Sequence, residues 1–211
     1  MAMMFSVACF IFGVSALSAT TLYTSAAYSP ERKNADGWDF IKDDATYEMK
    51  ERNFFLYGNE ENTECLISTL KNKNDTMHRV DGYIKYRNRT TKEWVSVNQS
   101  YQFSSDSSGG YNIMSAIEPS QGPHGVQTFV FTAENCAGVT VVYKSAKSEA
   151  SKGDPEARAE TDEKAVTQCI LWLRHDAKES DAESCQQYLK SLCGDNFHTT
   201  YDRETCPKAD N

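Results

Sequence analysis

Eight short segments rich in β-branched and aromatic residues recur between residues 47 and 174, and turn-forming residues separate them. The separators include Gly58-Asn59 and the runs at residues 72–75 and 104–110. Short strands at such regular spacing are typical of all-β barrels and sandwiches. The predicted strands are residues 47–57, 65–70, 79–87, 93–103, 111–118, 126–132, 139–143 and 166–174.

Alternation within these strands assigns side chains to faces, because successive residues of a strand point to opposite sides. Phe129 and Phe131 are predicted to share one face of the sixth strand. Asn98 is predicted to point outward from the fourth. Both faces of the eighth strand are apolar, which predicts that it is covered on both sides.

The predicted cover is a helix at residues 181–194. This segment begins with acidic residues, continues with Tyr188, Leu189 and Leu192 at helical spacing, and ends at Gly194. Residues 144–164 are charged and contain Gly-Asp-Pro, which is typical of a loop. No internal repeat is present, so residues 20–211 are predicted to form a single domain.

The N-terminus predicts a secreted protein. Residues 3–17 are apolar and uncharged, and small residues follow, so residues 1–19 are typical of a signal peptide, with cleavage after Ala16 or Ala19. Six cysteines then remain, an even number that predicts three disulfides in a secreted chain, with fifteen possible connectivities. Three sequons predict glycosylation at Asn74, Asn88 and Asn98.

Neither the charge nor the motifs indicate an enzyme or a nucleic-acid binder. The net charge is −8, with no basic stripe, which disfavours nucleic acids and anionic membranes as partners. The four histidines form no H-E-x-x-H pattern, and no G-x-S-x-G or phosphate-binding glycine loop is present. Acidic residues near Trp38 do not match a calcium-binding loop. We therefore expect no catalytic residue, metal or cofactor.

Aromatic residues give the clearest functional signal. They can form either a filled core or the lining of a cavity, since an eight-stranded barrel leaves room for one small ligand. Tyrosines favour the cavity, because a ligand can supply the partner that a buried hydroxyl needs. The candidate lining residues are Trp38, Tyr86, Tyr101, Phe103, Phe129, Phe131, Tyr143 and Trp172.

Five short motifs, in order and spacing, resemble the tick salivary lipocalins of the histamine-binding type over residues 35–207. They are Asp36-Gly-Trp38, Glu64-Cys65-Leu-Ile-Ser-Thr, Glu134-Asn-Cys136, the block from Cys169-Ile-Leu-Trp172 to Ser184-Cys185, and Thr205-Cys206-Pro207. The resemblance implies a secreted, eight-stranded antiparallel barrel with a C-terminal α-helix packed outside, and we expect a monomer. Such proteins sequester small host mediators (histamine, serotonin, leukotrienes or other lipids) and so blunt host defence.

The resemblance also implies the disulfides Cys65–Cys206 and Cys136–Cys185, and it leaves Cys169 and Cys193 for the third.

This chain departs from the family's amine-binding pattern, which has an acidic residue entering the seventh strand and another in the eighth. Ala137 and Ile170 occupy these positions, and a buried ammonium needs a paired carboxylate. We therefore expect Ile170 and the aromatic residues to line a pocket that favours an apolar ligand. Glu118 is the best remaining internal acid if the fifth strand has the opposite register to the one assigned by alternation. The alternative is a filled barrel whose loops bind a host protein.

Overall fold

A computed structural model describes residues 35–55, 62–107, 109–117, 125–143 and 167–206. Strands dominate these ranges. The elements are α1 Gly37–Phe40, β1 Thr46–Arg52, β2 Thr63–Asn74, β3 Arg79–Asn88, β4 Trp94–Ser104, β5 Ile113–Ala116, β6 Gly125–Thr132, β7 Cys136–Tyr143, β8 Gln168–Arg174, a 3₁₀ helix Glu179–Ala182, α2 Glu183–Cys193 and β9 His198–Thr199.

The sheet closes on itself. From β2 to β8 each strand pairs antiparallel with the next, and β1 pairs with both β8 and β2. The predicted eight-stranded antiparallel barrel with an outer C-terminal helix is therefore confirmed. Within the described ranges, every helix is too short or too polar to cross a bilayer.

A ninth strand, β9, was not predicted. It pairs with the last residues of β1, and the Cys65 amide of β2 donates to the Thr200 carbonyl that follows β9. The C-terminal segment thus lies between β1 and β2 where these two strands no longer pair directly. A strand of two residues is too short for alternation to reveal in a sequence.

The turn between β2 and β3 lies later than predicted. β2 continues to Asn74, because Asn72 adopts a left-handed conformation (φ 56°) within an irregularity of the β2–β3 pairing. Asparagine tolerates this conformation well. The residue that suggested a turn therefore sits inside a strand.

Helix α2 packs on the outside of the barrel against β7 and β8, as predicted. Its Leu189 contacts a second apolar cluster that includes Leu171 and Leu173 of β8, while Ile170 belongs to the interior cluster. The eighth strand is therefore covered on both sides. A Cβ at Gly138 would lie 2.9 Å from Leu189 Cγ, so the absence of a side chain in β7 lets the helix approach.

Three disulfides join these parts: Cys65–Cys206, Cys136–Cys185 and Cys169–Cys193. They confirm the pairing expected from the family resemblance. The last two fasten opposite ends of α2 to β7 and β8. The first fastens the C-terminal segment to β2.

Helix α1 closes one end of the barrel. Its Trp38 amide donates to the Tyr111 carbonyl, and the Gly37 amide donates to Asn112 Oδ1 at 2.9 Å. A Cβ at Gly37 would lie 2.5 Å from the Phe129 ring, so only glycine lets the helix sit this deep. We call this the closed end; β1 ends and β2 begins at the opposite, far end.

The predicted signal peptide (residues 1–19) and the predicted loop at residues 144–164 lie outside the described residues. Both stay predictions, as does the extent of the single domain.

Candidate ligand-binding site

A cavity of about 90 Å³ lies inside the barrel, beyond α1 and towards the far end. Its wall is mostly apolar and draws on α1 and all eight strands of the barrel. The lining residues are Phe40, Ile41, Tyr47, Met49, Thr63, Leu66, Ser68, Leu70, Ile84, Tyr86, Val97, Tyr101, Met114, Gly125, Gln127, Phe129, Val141, Ile170 and Trp172.

Five of the predicted ligand-binding residues line this cavity: Tyr86, Tyr101, Phe129, Ile170 and Trp172. Alternation along β3, β4, β6 and β8 places each of them on the inner face. The sequence analysis therefore predicted lining residues on four of the eight barrel strands.

Trp38 and Phe103 are buried but do not line the cavity. Their rings meet edge to face at 5.1 Å, and the Trp38 indole N–H donates to Asp75 Oδ1 at 2.9 Å. The Lys73 ammonium lies 4.4 Å from the centre of the Trp38 ring and donates to the carbonyls of Trp38 and Ile41. Burial lowers the pKa of Lys73. Both aromatic residues therefore seal the closed end.

The prediction that Phe131 faces the interior with Phe129 is wrong. Phe129 pairs with Val139 and Phe131 with the adjacent Gly138, so Val130 is an extra residue that reverses the alternation. Phe131 consequently points outward. It stacks on Tyr188 of α2, with ring centres 4.9 Å apart.

Two other predicted interior residues, Tyr143 and Glu118, lie wholly or partly outside the residues that the structure describes. Tyr143 ends β7, and its side chain is outside the described residues, as is the whole of Glu118. Ala137 is fully buried beside the interior cluster and pairs with Trp172, but it does not line the cavity. Of the two positions where the family pattern is acidic, only Ile170 reaches the cavity wall.

The hydroxyl of Tyr47 connects the cavity floor to α1. It donates to the Phe40 carbonyl at 3.0 Å and accepts from the Lys42 amide at 2.9 Å. Burial raises the pKa of Tyr47 to about 12, so the hydroxyl stays neutral at physiological pH. These two hydrogen bonds fix the end of α1 against β1 beside the cavity.

No described lining residue carries a carboxylate or a permanent charge. One charged residue, Arg52, is fully buried at the far end of β1. Its guanidinium donates to Thr63 Oγ1 and lies 3.6 Å from Met49 Sδ, and both partners line the cavity. The interior is therefore apolar with a positive charge at its margin.

Gln127 is a functional candidate that the sequence prediction missed. It lies two residues before Phe129, on the inner face of β6, and its Oε1 is buried without a hydrogen-bond partner among the described residues. A polar residue alternating in phase with inward aromatic residues was a usable signal. It was overlooked because the candidates were the aromatic residues and the positions that are acidic in the family pattern.

The three sequon asparagines lie at or near the barrel surface. Asn98 is exposed on the outer face of β4, as predicted, Asn74 is exposed at the end of β2, and Asn88 is half-buried at the end of β3. Asn88 Oδ1 accepts from the Thr90 and Thr91 amides. Whether these residues carry glycans stays a prediction.

Comparison with solved structures finds similar folds at low identity. Japanin from Rhipicephalus appendiculatus, bound to cholesterol, is 11% identical, with a TM-score of 0.48 over 78% of this chain and 96% of Japanin. The allergen Per a 4 from cockroaches is 7% identical, with a TM-score of 0.48 over 80% and 90%. H1 crustacyanin from the lobster Homarus americanus is 8% identical, with a TM-score of 0.46 over 79% and 81%.

No curated protein matches the sequence. At the level of families, residues 25–152 match the tick histamine binding protein family. This match covers more than half of the chain. The chain therefore belongs to the tick histamine-binding protein family, whose lipocalin-like barrel is built to bind small ligands.

Proposed function

We propose that the protein is secreted in tick saliva, as a glycoprotein, and captures a small, predominantly apolar mediator of the host in its barrel without chemical conversion. The observation that supports this most directly is the cavity inside a closed barrel, lined entirely by residues without formal charge. Capture would lower the free concentration of the mediator and so blunt host defence. Membership of the histamine-binding family supports the same general role.

The lining favours an apolar ligand over a biogenic amine. Moving an ammonium group from water into a dry cavity costs several kcal/mol unless a carboxylate pairs with it. Ile170 contributes only hydrocarbon to the wall, and Ala137 does not reach it. The buried Arg52 guanidinium at the margin would repel a cation further.

The volume limits the size of the ligand. A water molecule needs roughly 10–15 Å³ measured in the same way, so 90 Å³ holds the equivalent of several waters. Ligand pockets of about 300–1,000 Å³ are common for larger molecules. The ligand is therefore small, or the unbranched side chains of Met49 and Met114 adjust to admit it, as methionine does readily.

The same small volume supports the alternative function. If the barrel acts only as a scaffold, its loops would bind a host protein and the cavity would stay empty. This alternative predicts a complex with a plasma protein that does not depend on any substitution in the cavity.

Two measurements test the proposal. Native mass spectrometry of protein secreted by a eukaryotic host should reveal a co-purified small mass, and deglycosylation should lower the protein mass. Calorimetric titration should show binding to a leukotriene or cholesterol and none to histamine or serotonin. Tight histamine binding would overturn the apolar assignment, and failure of all four ligands to bind would overturn capture itself.

A further inference from the structure

We infer that Gln127 determines the ligand specificity of the cavity, and that the ligand is an uncharged molecule with an apolar body and a hydroxyl group that hydrogen-bonds to the Gln127 amide. This inference rests on the proposed capture function and specifies the chemistry of the captured molecule.

The position of Gln127 in the sheet aims its side chain inward. It pairs with Met114 on β5 and with Val141 on β7, and all three residues line the cavity. The irregularity of β6 begins only after Phe129, so it does not affect the orientation of Gln127. The amide therefore projects from the wall between two apolar neighbours.

The oxygen of this amide has no partner in the part of the protein that the structure describes. It is buried, and none of the described residues donates a hydrogen bond to it. A buried polar group without a partner is unfavourable, and native proteins usually satisfy such groups with protein, water or ligand. Because the amide faces a cavity, a bound molecule can supply the missing partner.

Four other polar groups of the lining are engaged or less selective. The Tyr47 hydroxyl both donates and accepts within the protein, and Thr63 Oγ1 accepts from Arg52. The hydroxyls of Ser68 and Tyr86 can rotate to donate or to accept, so they favour no particular ligand group. The Gln127 amide oxygen is a buried acceptor of the described lining that still requires a donor.

A hydroxyl meets that requirement best. It can donate to the amide oxygen or accept from the amide nitrogen, so it fits whichever end of the amide faces it. A carboxylate can only accept, and an ammonium can only donate. An ammonium would also be buried without a counter-charge, because no described lining residue carries a carboxylate.

Four probes with one alkyl chain test the inference: 1-octanol, octyl methyl ether, octylammonium and octanoate, each titrated calorimetrically into the intact glycoprotein at pH 7.4. The ether keeps the acceptor oxygen and lacks the donor. We expect 1-octanol to bind about tenfold more tightly than the ether, and more tightly than either ion.

Variants of the protein identify the residue responsible. Gln127→Leu should abolish the preference for 1-octanol over the ether, while Gln127→Glu should raise the affinity for octylammonium. Thr128→Val, at the neighbouring position on the opposite face of β6, is the matched control and should leave all four affinities within about twofold. Thermal unfolding of each variant checks that it is folded.

The outcomes separate this inference from the proposed function. If the probes bind but 1-octanol has no advantage, or Gln127→Leu preserves the advantage, the inference is overturned and capture stands. Tightest binding of octanoate or octylammonium also overturns it. If no probe binds to the folded protein, the inference is overturned, and the titrations with a leukotriene, cholesterol, histamine and serotonin decide whether capture stands.

Discussion

Replacing Phe129 and Phe131 by alanine, one at a time, should destabilise the protein to a similar extent, but only Phe129→Ala should change ligand binding. The two residues are two positions apart in β6, and both are almost fully buried, with 3% and 6% of their surface exposed. Truncating a buried phenylalanine typically costs about 3–5 kcal/mol. The two variants thus test the extra residue at Val130 directly.

The structural consequences differ because the rings lie on opposite sides of the barrel wall. Phe129 lines the cavity and lies 5.7 Å from the Phe103 ring and 6.1 Å from the Phe40 ring. Its removal enlarges the cavity towards the closed end. Phe131 packs on Tyr188, so its removal loosens α2, which two disulfides still hold at either end.

Circular dichroism melts and calorimetric titration with 1-octanol measure the two effects. For a domain of this size each kcal/mol lowers Tm by about 2–4 °C, so both variants should melt about 6–20 °C below the parent. Phe129→Ala should change the Kd several-fold, and Phe131→Ala should leave it within about twofold. An effect of Phe131→Ala on affinity equal to that of Phe129→Ala would refute the assigned faces.

Three further predictions follow from individual contacts. Burial raises the pKa of Tyr47 to about 12, so the native state favours the neutral hydroxyl; its stabilising contribution, up to about 3 kcal/mol, is intact below pH 10 and lost as the pH rises from 10 to 12. Urea unfolding between pH 8 and 11 should show about half of this loss, and Tyr47→Phe should remove it. Gly138→Ala should cost about 1–3 kcal/mol in the same assay, because its Cβ would lie 2.9 Å from Leu189 Cγ; an unchanged midpoint would contradict the helix packing. Replacing Cys136 and Cys185 together by alanine opens a loop with a sequence separation of 49 residues and should cost about 4 kcal/mol without changing ligand affinity; a large change in affinity would place these residues nearer the cavity than the structure does.

The barrel could be predicted from the sequence because the patterns that indicate its strands and turns lie within short stretches of the chain. Alternation and turn residues recur along the chain, and each strand pairs with its neighbour in sequence, so the order of strands follows from the order of the segments. The outer helix was predictable for the same reason. The closure of the sheet into a barrel is visible only in the structure, because it depends on the pairing of β1 with β8, which are far apart in the sequence.

The faces of β6 could not be predicted beyond Phe129. A single extra residue reverses the alternation, and Val130 has no glycine, proline or other local signal that marks it. Its effect is visible only in the pairing with β7. The prediction that placed Phe131 inside therefore failed because of a bulge in β6 that only the pairing with β7 reveals.

Depth along the barrel axis was also hidden from the sequence. A period of two separates inside from outside, but it does not separate the closed end from the cavity. Trp38 and Phe103 are interior residues that fill the closed end, whereas Tyr101, on the same strand as Phe103, reaches the cavity. Only the position of α1 decides which aromatic residues seal the barrel and which face the ligand.

The ligand chemistry of such a barrel can change without a change in its frame. The strands are held by main-chain pairing, by the outer helix and by disulfides, and none of these depends on the inward side chain at position 170 or 127. An acid at 170 would place a negative charge on the cavity wall and could pair with an amine, whereas Ile170 leaves the wall uncharged. With no carboxylate in the described lining, the unpartnered amide of Gln127 becomes the group that distinguishes one apolar molecule from another. Family membership therefore specifies the barrel fold, and the side chains at positions 170 and 127 specify which ligand it binds.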